Sequence, residues 1–235
     1  MRLTDVLTDR AALTGAIQRR FSGRTRARDA ATRHFHRVYY YSPERTFQNT
    51  YWLGTAVLKC PLDLWIYQEL ITELRPDVIV ETGTRHGGSA LYLATICDLL
   101  GKGHVVSVDI DEDDGRPSHA RITYLLGSST ADDVVARVKH QLNGAETVVV
   151  LLDSDHSRDH VLEELRIYAD VVTPGSYCVV EDTNVNGNPV FPEHGPGPME
   201  AVEAFLRERS DYHIDIERQK FFLTFNPHGF LRRAS

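Results

Sequence analysis

The 235-residue chain is predicted to fold as an α/β domain of the doubly wound kind, a mostly parallel, Rossmann-like sheet covered by helices on both faces. Three observations predict it. Short β-branched apolar runs alternate with helix-length segments from about residue 60 to 180. Several of these runs lead into a glycine turn or end on an acid. The run VVVLL at 148–152 is apolar throughout, as parallel strands buried on both faces are. Such regular alternation implies right-handed crossovers.

In chain order, Leu13, Ile17 and Phe21 recur at i, i+4 spacing, and residues 39–51 are aromatic but irregular. Residues 1–50 are therefore expected to form a helical arm or cap on a domain spanning 51–235. Pro61 stands where a helix would start, and LDLWIYQELITEL continues it until Pro76. DVIVETG reads as a strand entering a glycine turn, followed by helix in SALYLATICDLL. HVVSVDID is a second strand, ending on Asp109 and Asp111. ITYLLGSS is a third, ending on Gly127 and followed by helix over 131–142. TVVVLLDSDH is a fourth, followed by helix over 158–170, and SYCVVEDT is a fifth. Residues 183–198 hold four prolines and three glycines, which marks a long loop of the functional sort. A helix over 199–207 follows, and YHIDIE and KFFLTFNP are expected to close the sheet as an antiparallel pair.

Composition narrows the function. At 42% hydrophobic and 25% charged residues the chain fits one globular domain. No run approaches the roughly 18 apolar residues of a membrane span, and the first ten residues carry charge too early for a signal peptide, so a cytoplasmic protein is expected. Cys60, Cys97 and Cys178 lie far apart in apolar contexts and read as reduced core residues. Residues 1–37 hold nine arginines against three aspartates, a net +6 that leaves −13 for the rest of a chain of net charge −7. An acidic body repels phosphate backbones, so no nucleic-acid partner is expected. The contrast of basic arm and acidic body instead favours a homo-oligomer.

In a doubly wound sheet the ligand lies outside the carboxyl ends of the strands, where strand order reverses. After the first strand, ETGTRHGGS supplies Gly83, Gly87 and Gly88 for a tight turn, with a helix N-terminus behind it. The second strand ends on Asp109, suitably placed to accept both hydroxyls of a ribose. The glycine spacing departs from GxGxxG, which disfavours a dinucleotide and favours a mononucleoside ligand. The fourth strand ends in Asp153, Ser154, Asp155 and His156, and the fifth in Glu181 and Asp182. Carboxylates converging at neighbouring strand ends repel one another unless a hard cation such as Mg²⁺ joins them. His156 beside them is suited to take a proton from an alcohol.

These blocks, together with WLGTAVLKCPLDLWIYQELI and NPHGFLRR, resemble the family named for cephalosporin hydroxylase and the rhamnosyl O-methyltransferases, over about Tyr51 to Arg233. The resemblance implies an S-adenosylmethionine-dependent class I methyltransferase, using Mg²⁺ and acting on a sugar hydroxyl in an antibiotic or cell-envelope pathway. It implies that Glu81 and Gly83, with Thr84 and Ser89 of the same turn, line the methionine side of the cofactor, that Asp109 holds the ribose, and that Gly127, Ser128 and Ser129 flank adenine. Asp153, also at the cofactor, would join Glu181 and Asp182 as metal ligands, with His156 as general base. The register of DSDH leaves Asp155 open as an alternative ligand or as a partner in the base role. The hydroxylase label does not point to iron, because the HxD of His213 to Asp215 falls in an expected closing strand. Two other readings stand beside this one: a nicotinamide-dependent oxidoreductase, and a non-catalytic cofactor-binding partner in an oxidation and methoxylation pair such as cephalosporin methoxylation.

Overall fold

The computed structural model describes residues 25–235; the Leu13, Ile17 and Phe21 pattern lies outside them. Residues 25–40 are helical (α1), and a hairpin of β1 (Tyr51–Trp52) and β2 (Thr55–Ala56) follows. Then come α2 (Pro61–Leu74), β3 (Val78–Thr82), α3 (Gly88–Leu100), β4 (His104–Asp109), β5 (Ile122–Leu126), α4 (Asp132–Gln141), β6 (Val148–Leu152), α5 (Arg158–Tyr168), β7 (Tyr177–Val180), α6 (Pro198–Glu208), β8 (Tyr212–Ile214) and β9 (Phe230–Arg233). Seven strands form one sheet in the order β5-β4-β3-β6-β7-β9-β8, parallel from β5 to β7, with β9 antiparallel to both its neighbours.

Period-2 alternation sends successive strand residues to opposite layers. Val80, Val106, Val150 and Cys178 face α4, α5 and α6, where Val134, Leu165 and Phe205 are buried against them. Ile79, Val105, Val149 and Val179 face α2 and α3, against Ile66, Leu70 and Leu93. Every position of β3, β6 and β7 is buried, as the apolar runs require.

The sheet closes differently from the expectation. β8 is where YHIDIE places it, but KFFLTFNP is not a strand; its partner is FLRR at 230–233. The alternation in KFFLTFNP is real, yet Leu223 and Phe225 are buried under the N-terminal segment rather than in the sheet. Phe225 stacks on His36 of α1 at 5.4 Å and meets Tyr39, Tyr40 and Phe47 at 5.6–5.9 Å. Its backbone is satisfied off the sheet, donating N–H to Asp63 Oδ2 and accepting from Asn184 N. The described part of residues 1–50 thus packs into the domain.

Strand order reverses between β3 and β6, and there the backbone is closest. Gly83 has φ +84°, and a Cβ on it would lie 1.9 Å from the carbonyl oxygen of Asp153. Gly83→Ala combines a left-handed backbone penalty with this collision, and is expected to cost about 3 kcal/mol or more, lowering Tm by roughly 10 °C. Thermal unfolding checks this; a variant melting within about 2 °C of wild type would show that the two strand ends separate freely.

Candidate active site

Register assembles the site. Thr82 pairs with Val108 and with Leu152, and Leu152 with Val180, so the next residues Asp109, Gly83, Asp153 and Glu181 form one row along the carboxyl edge. Neighbouring strands lie about 4.8 Å apart, which brings Asp153 and Glu181 together without help from any loop. Asp182 follows in the left-handed region, at φ 52°, a conformation aspartate tolerates better than most residues. Its N–H donates to Asn226 Oδ1 at 3.0 Å, which holds the turn.

The row opens into a cavity of about 930 Å³ lined by the turn after β3, the ends of β4 and β5, residues 153–156, His160 and Asp182, together with Phe47, Val57 and Leu58. Gly83, Thr84, Ser89, Asp109, Gly127, Ser128, Ser129, Asp153, Asp155 and His156 all lie on its wall. Glu81 does not: it is fully buried beneath the floor, where Oε2 accepts from Ser107 Oγ at 2.6 Å and Oε1 has no hydrogen-bond partner among the described residues. The even-odd alternation of β3 explains this, since Glu81 points into the α2 and α3 side while the turn begins two residues later.

At one end of the cavity, Asp109 Oδ2 accepts from Arg85 N at 2.7 Å and Oδ1 from Asp111 N at 2.9 Å, with Arg116 Nη2 at 3.3 Å. Oδ1, with a single donor, retains a second lone pair for a ligand. Near Ser128 and Ser129, the His160 Nε2 atom lies 3.1 Å from Ser154 Oγ and 3.3 Å from Ser129 Oγ, and Ser154 Oγ donates to buried Glu164.

At the other end, ligand atoms of Asp153, His156 and Asp182 lie within 4.8 Å of one another. His156 Nε2 is 3.3 Å from Asp153 Oδ1 and 3.4 Å from Asp182 Oδ2. Burial disfavours a charged imidazole here, but Asp182 and then Asp153 outweigh it and raise the His156 pKa to about 9. Burial also pushes Asp182 up. Asp155 is not part of this group: its Oδ1 accepts from Ser157 N at 2.7 Å in the turn before α5, and that contact holds its carboxyl low.

Glu181 departs most from the expectation. Its Oε1 accepts from Lys59 Nζ at 2.7 Å, and Lys59 Nζ also reaches Asp153 Oδ2 at 2.6 Å. Burial raises the Glu181 pKa first, followed by the charge of Asp153, and the lysine does not fully offset them. Glu181 therefore sits behind the group formed by Asp153, His156 and Asp182, tied to an ammonium. Lys59 is absent from the sequence-level site, although a lysine in the apolar run AVLKC just before a helix-starting proline is a visible signal of a buried, paired charge. Asn226 is a second omission; besides holding Asp182 it donates Nδ2 to Tyr67 OH at 2.8 Å.

A family profile described as Rhamnosyl O-methyltransferase/CmcI matches residues 44–234. The chain belongs to the rhamnosyl O-methyltransferase/CmcI family. Among relatives of this family, the rhamnosyl O-methyltransferase of Mycobacterium leprae (strain TN) is 39% identical over 216 residues, covering 88% of this chain and 93% of the relative. That of Mycobacterium tuberculosis (strain ATCC 25618 / H37Rv) is also 39% identical, over 217 residues, covering 88% and 87%. A CmcI structure with Mg and SAM superposes with a TM-score of 0.63 at 21% identity, over 80% of this chain and 78% of that one. A putative caffeoyl-CoA O-methyltransferase from Staphylococcus aureus gives 0.52 at 14% identity, over 68% and 78%. At such identities these structures speak for the fold alone, the class I methyltransferase arrangement; membership of the rhamnosyl O-methyltransferase/CmcI family rests on the sequence matches.

Proposed function

We propose that this protein is an S-adenosylmethionine-dependent O-methyltransferase that uses Mg²⁺ and acts on a hydroxyl of a rhamnose-like sugar in a glycosylated small molecule. The observation that carries the reading is the juxtaposition, in one cavity, of a ribose-type carboxylate at the end of β4 with a carboxylate and imidazole cluster at the ends of β6 and β7. Family membership and the 39% identity to rhamnosyl O-methyltransferases support it.

The residues suit both groups. Asp109, held by two backbone N–H groups, offers its remaining lone pair to the ribose, and the wall at Gly127, Ser128 and Ser129 is placed for a flat base. Gly83, Thr84 and Ser89 shape the side nearest the acid cluster. Oxygen donors dominate that cluster, and burial pushes Asp182 within it and Glu181 behind it up, a surplus of carboxylate that suits a hard divalent ion. Asp153 and Asp182 would hold Mg²⁺, with Glu181 contributing a lone pair that Lys59 leaves free or acting from behind. When bound, the ion lowers the pKa of an acceptor hydroxyl and the sulfonium supplies an electrophilic methyl.

What the chain contributes is position and proton transfer. The apolar part of the wall, Phe47, Val57 and Leu58, gives the acceptor an apolar face and limits water at the acid cluster. His156 Nε2 takes the hydroxyl proton as the C–O bond forms and the C–S bond breaks. A basic arm joining a second copy is a further part of the proposal, tested by light scattering with and without residues 1–37; an unchanged assembly would remove it.

The test is direct. Incubation with S-adenosylmethionine, Mg²⁺ and a panel of rhamnosides is expected to yield a product heavier by one methylene, and no turnover after EDTA. Cofactor turnover undiminished by EDTA would exclude the metal-dependent reading. Asp109→Ala is expected to weaken S-adenosylhomocysteine binding on the order of 10- to 100-fold, the equivalent of one or two hydrogen bonds to a charged acceptor. Calorimetry checks it, and an unchanged affinity would place the ribose elsewhere.

A further inference from the structure

Lys59 has no assigned part in the reaction, yet it is wedged beneath the cavity between two of the site's carboxylates. Its side chain is 5% exposed, and its ammonium bridges Asp153 Oδ2 and Glu181 Oε1 at 2.6 and 2.7 Å. An ammonium is seldom buried unless paired, and the local chain is bent to pair this one. Leu58 adopts a left-handed φ of 61°, unusual for leucine, lining the cavity itself while Lys59 enters the interior. Buried Glu81 and Asp182 add further negative charge close to this pair, so one lysine meets a surplus of acids.

We propose that Lys59 is a positioning residue that acts as a standing counter-charge: it fixes Asp153 and Glu181 before any metal arrives, and by its own charge keeps the divalent ion weakly held and exchangeable. This rests on the reading that the site takes Mg²⁺. Two effects of Lys59 on the ion have opposite sign. Holding two carboxylates in place favours binding, whereas a like charge a few ångströms away opposes it. For a divalent ion in a partly dehydrated site the Coulomb effect exceeds the ordering of two short side chains, so removing the charge tightens binding.

Calorimetry with MgCl₂, with and without S-adenosylhomocysteine, and melting in EDTA or in saturating Mg²⁺ test this on wild type, Lys59→Met and the double variant Lys59→Met/Glu181→Gln. Lys59→Met is expected to bind Mg²⁺ at least ~10-fold more tightly, since the opposing unit charge is gone. It should melt below wild type in EDTA and regain most of the loss in Mg²⁺, with S-adenosylhomocysteine affinity changed less than about threefold. A lysine of merely structural value would lower melting equally with and without Mg²⁺ and leave Mg²⁺ affinity unchanged or weaker, which would overturn the proposal. The double variant removes both buried charges of one pair and is expected to melt above Lys59→Met in EDTA, which keeps the test open if the single variant folds only with Mg²⁺. A double variant melting no higher would count against Lys59 as the counter-charge. Equal Mg²⁺ binding by wild type and Lys59→Met removes this proposal alone, whereas binding by neither removes the metal reading as well.

Discussion

Asp182→Ala is expected to abolish methyl transfer, lowering kcat by about 10³-fold or more, while S-adenosylhomocysteine affinity stays within about threefold of wild type. The split follows from where the side chain sits. Asp182 follows β7, three strands along the sheet from Asp109 at the end of β4, and its carboxylate faces His156 at 3.4 Å in the acid cluster. Removing it takes away a candidate metal ligand, and with it several kcal/mol of assistance to ionising an alcohol. It also removes the largest charge that holds His156 in its protonated form. Asn226, which anchors the Asp182 N–H, continues to hold the backbone turn, so the cavity wall is expected to keep its shape. Single-turnover rates and calorimetry on the same preparation check both halves. Lost cofactor binding with activity restored at high cofactor would place Asp182 on the cofactor instead.

How much of this was legible in the sequence depends on whether a feature is set by local pattern or by distant packing. The parallel core was legible because VIVET, HVVSVD and VVVLL are buried on both faces, so their apolar continuity is itself the architecture. The row of Asp109, Gly83, Asp153 and Glu181 was legible too, since in-register parallel strands of nearly equal length must end together. The closing strand was misplaced because alternation in KFFLTFNP has the period of a strand whichever surface buries it, and here the surface is α1 with residues 46–49. Glu81 was expected at the cofactor only through the family resemblance; side-chain parity, which only the register fixes, sends it beneath the floor. Lys59 lies 94 residues before Asp153 in the chain, and no spacing rule connects a lysine after a hairpin to acids on two later strands.

His156→Ala is expected to lower kcat by 10²- to 10⁴-fold, the usual contribution of a general base, while Mg²⁺ affinity is not weakened and rises at neutral pH, where the imidazolium charge opposes the ion. Geometry allows two roles, because His156 Nε2 belongs to the same compact group as Asp153 and Asp182 and a neutral imidazole is also a metal ligand. The donor set favours the base: the ion that suits clustered carboxylates is one that prefers oxygen. In the metal-free protein the imidazole, with a pKa of about 9, carries a proton at neutral pH because Asp182 and Asp153 pull it up against burial. That pKa lies above the unfolded value, so its stabilising contribution is complete below about pH 6.5 and is lost as pH rises through about 9. Metal-free wild type is therefore expected to lose stability across that interval, and His156→Ala to lose less. Positive charge supplied to the two carboxylates by Mg²⁺ removes the cause of the shift, so the imidazole pKa measured by NMR should fall on Mg²⁺ addition, freeing Nε2 to accept a proton. A variant whose Mg²⁺ affinity collapses in step with kcat would make His156 a ligand, and the proton would then need another acceptor in the same cavity.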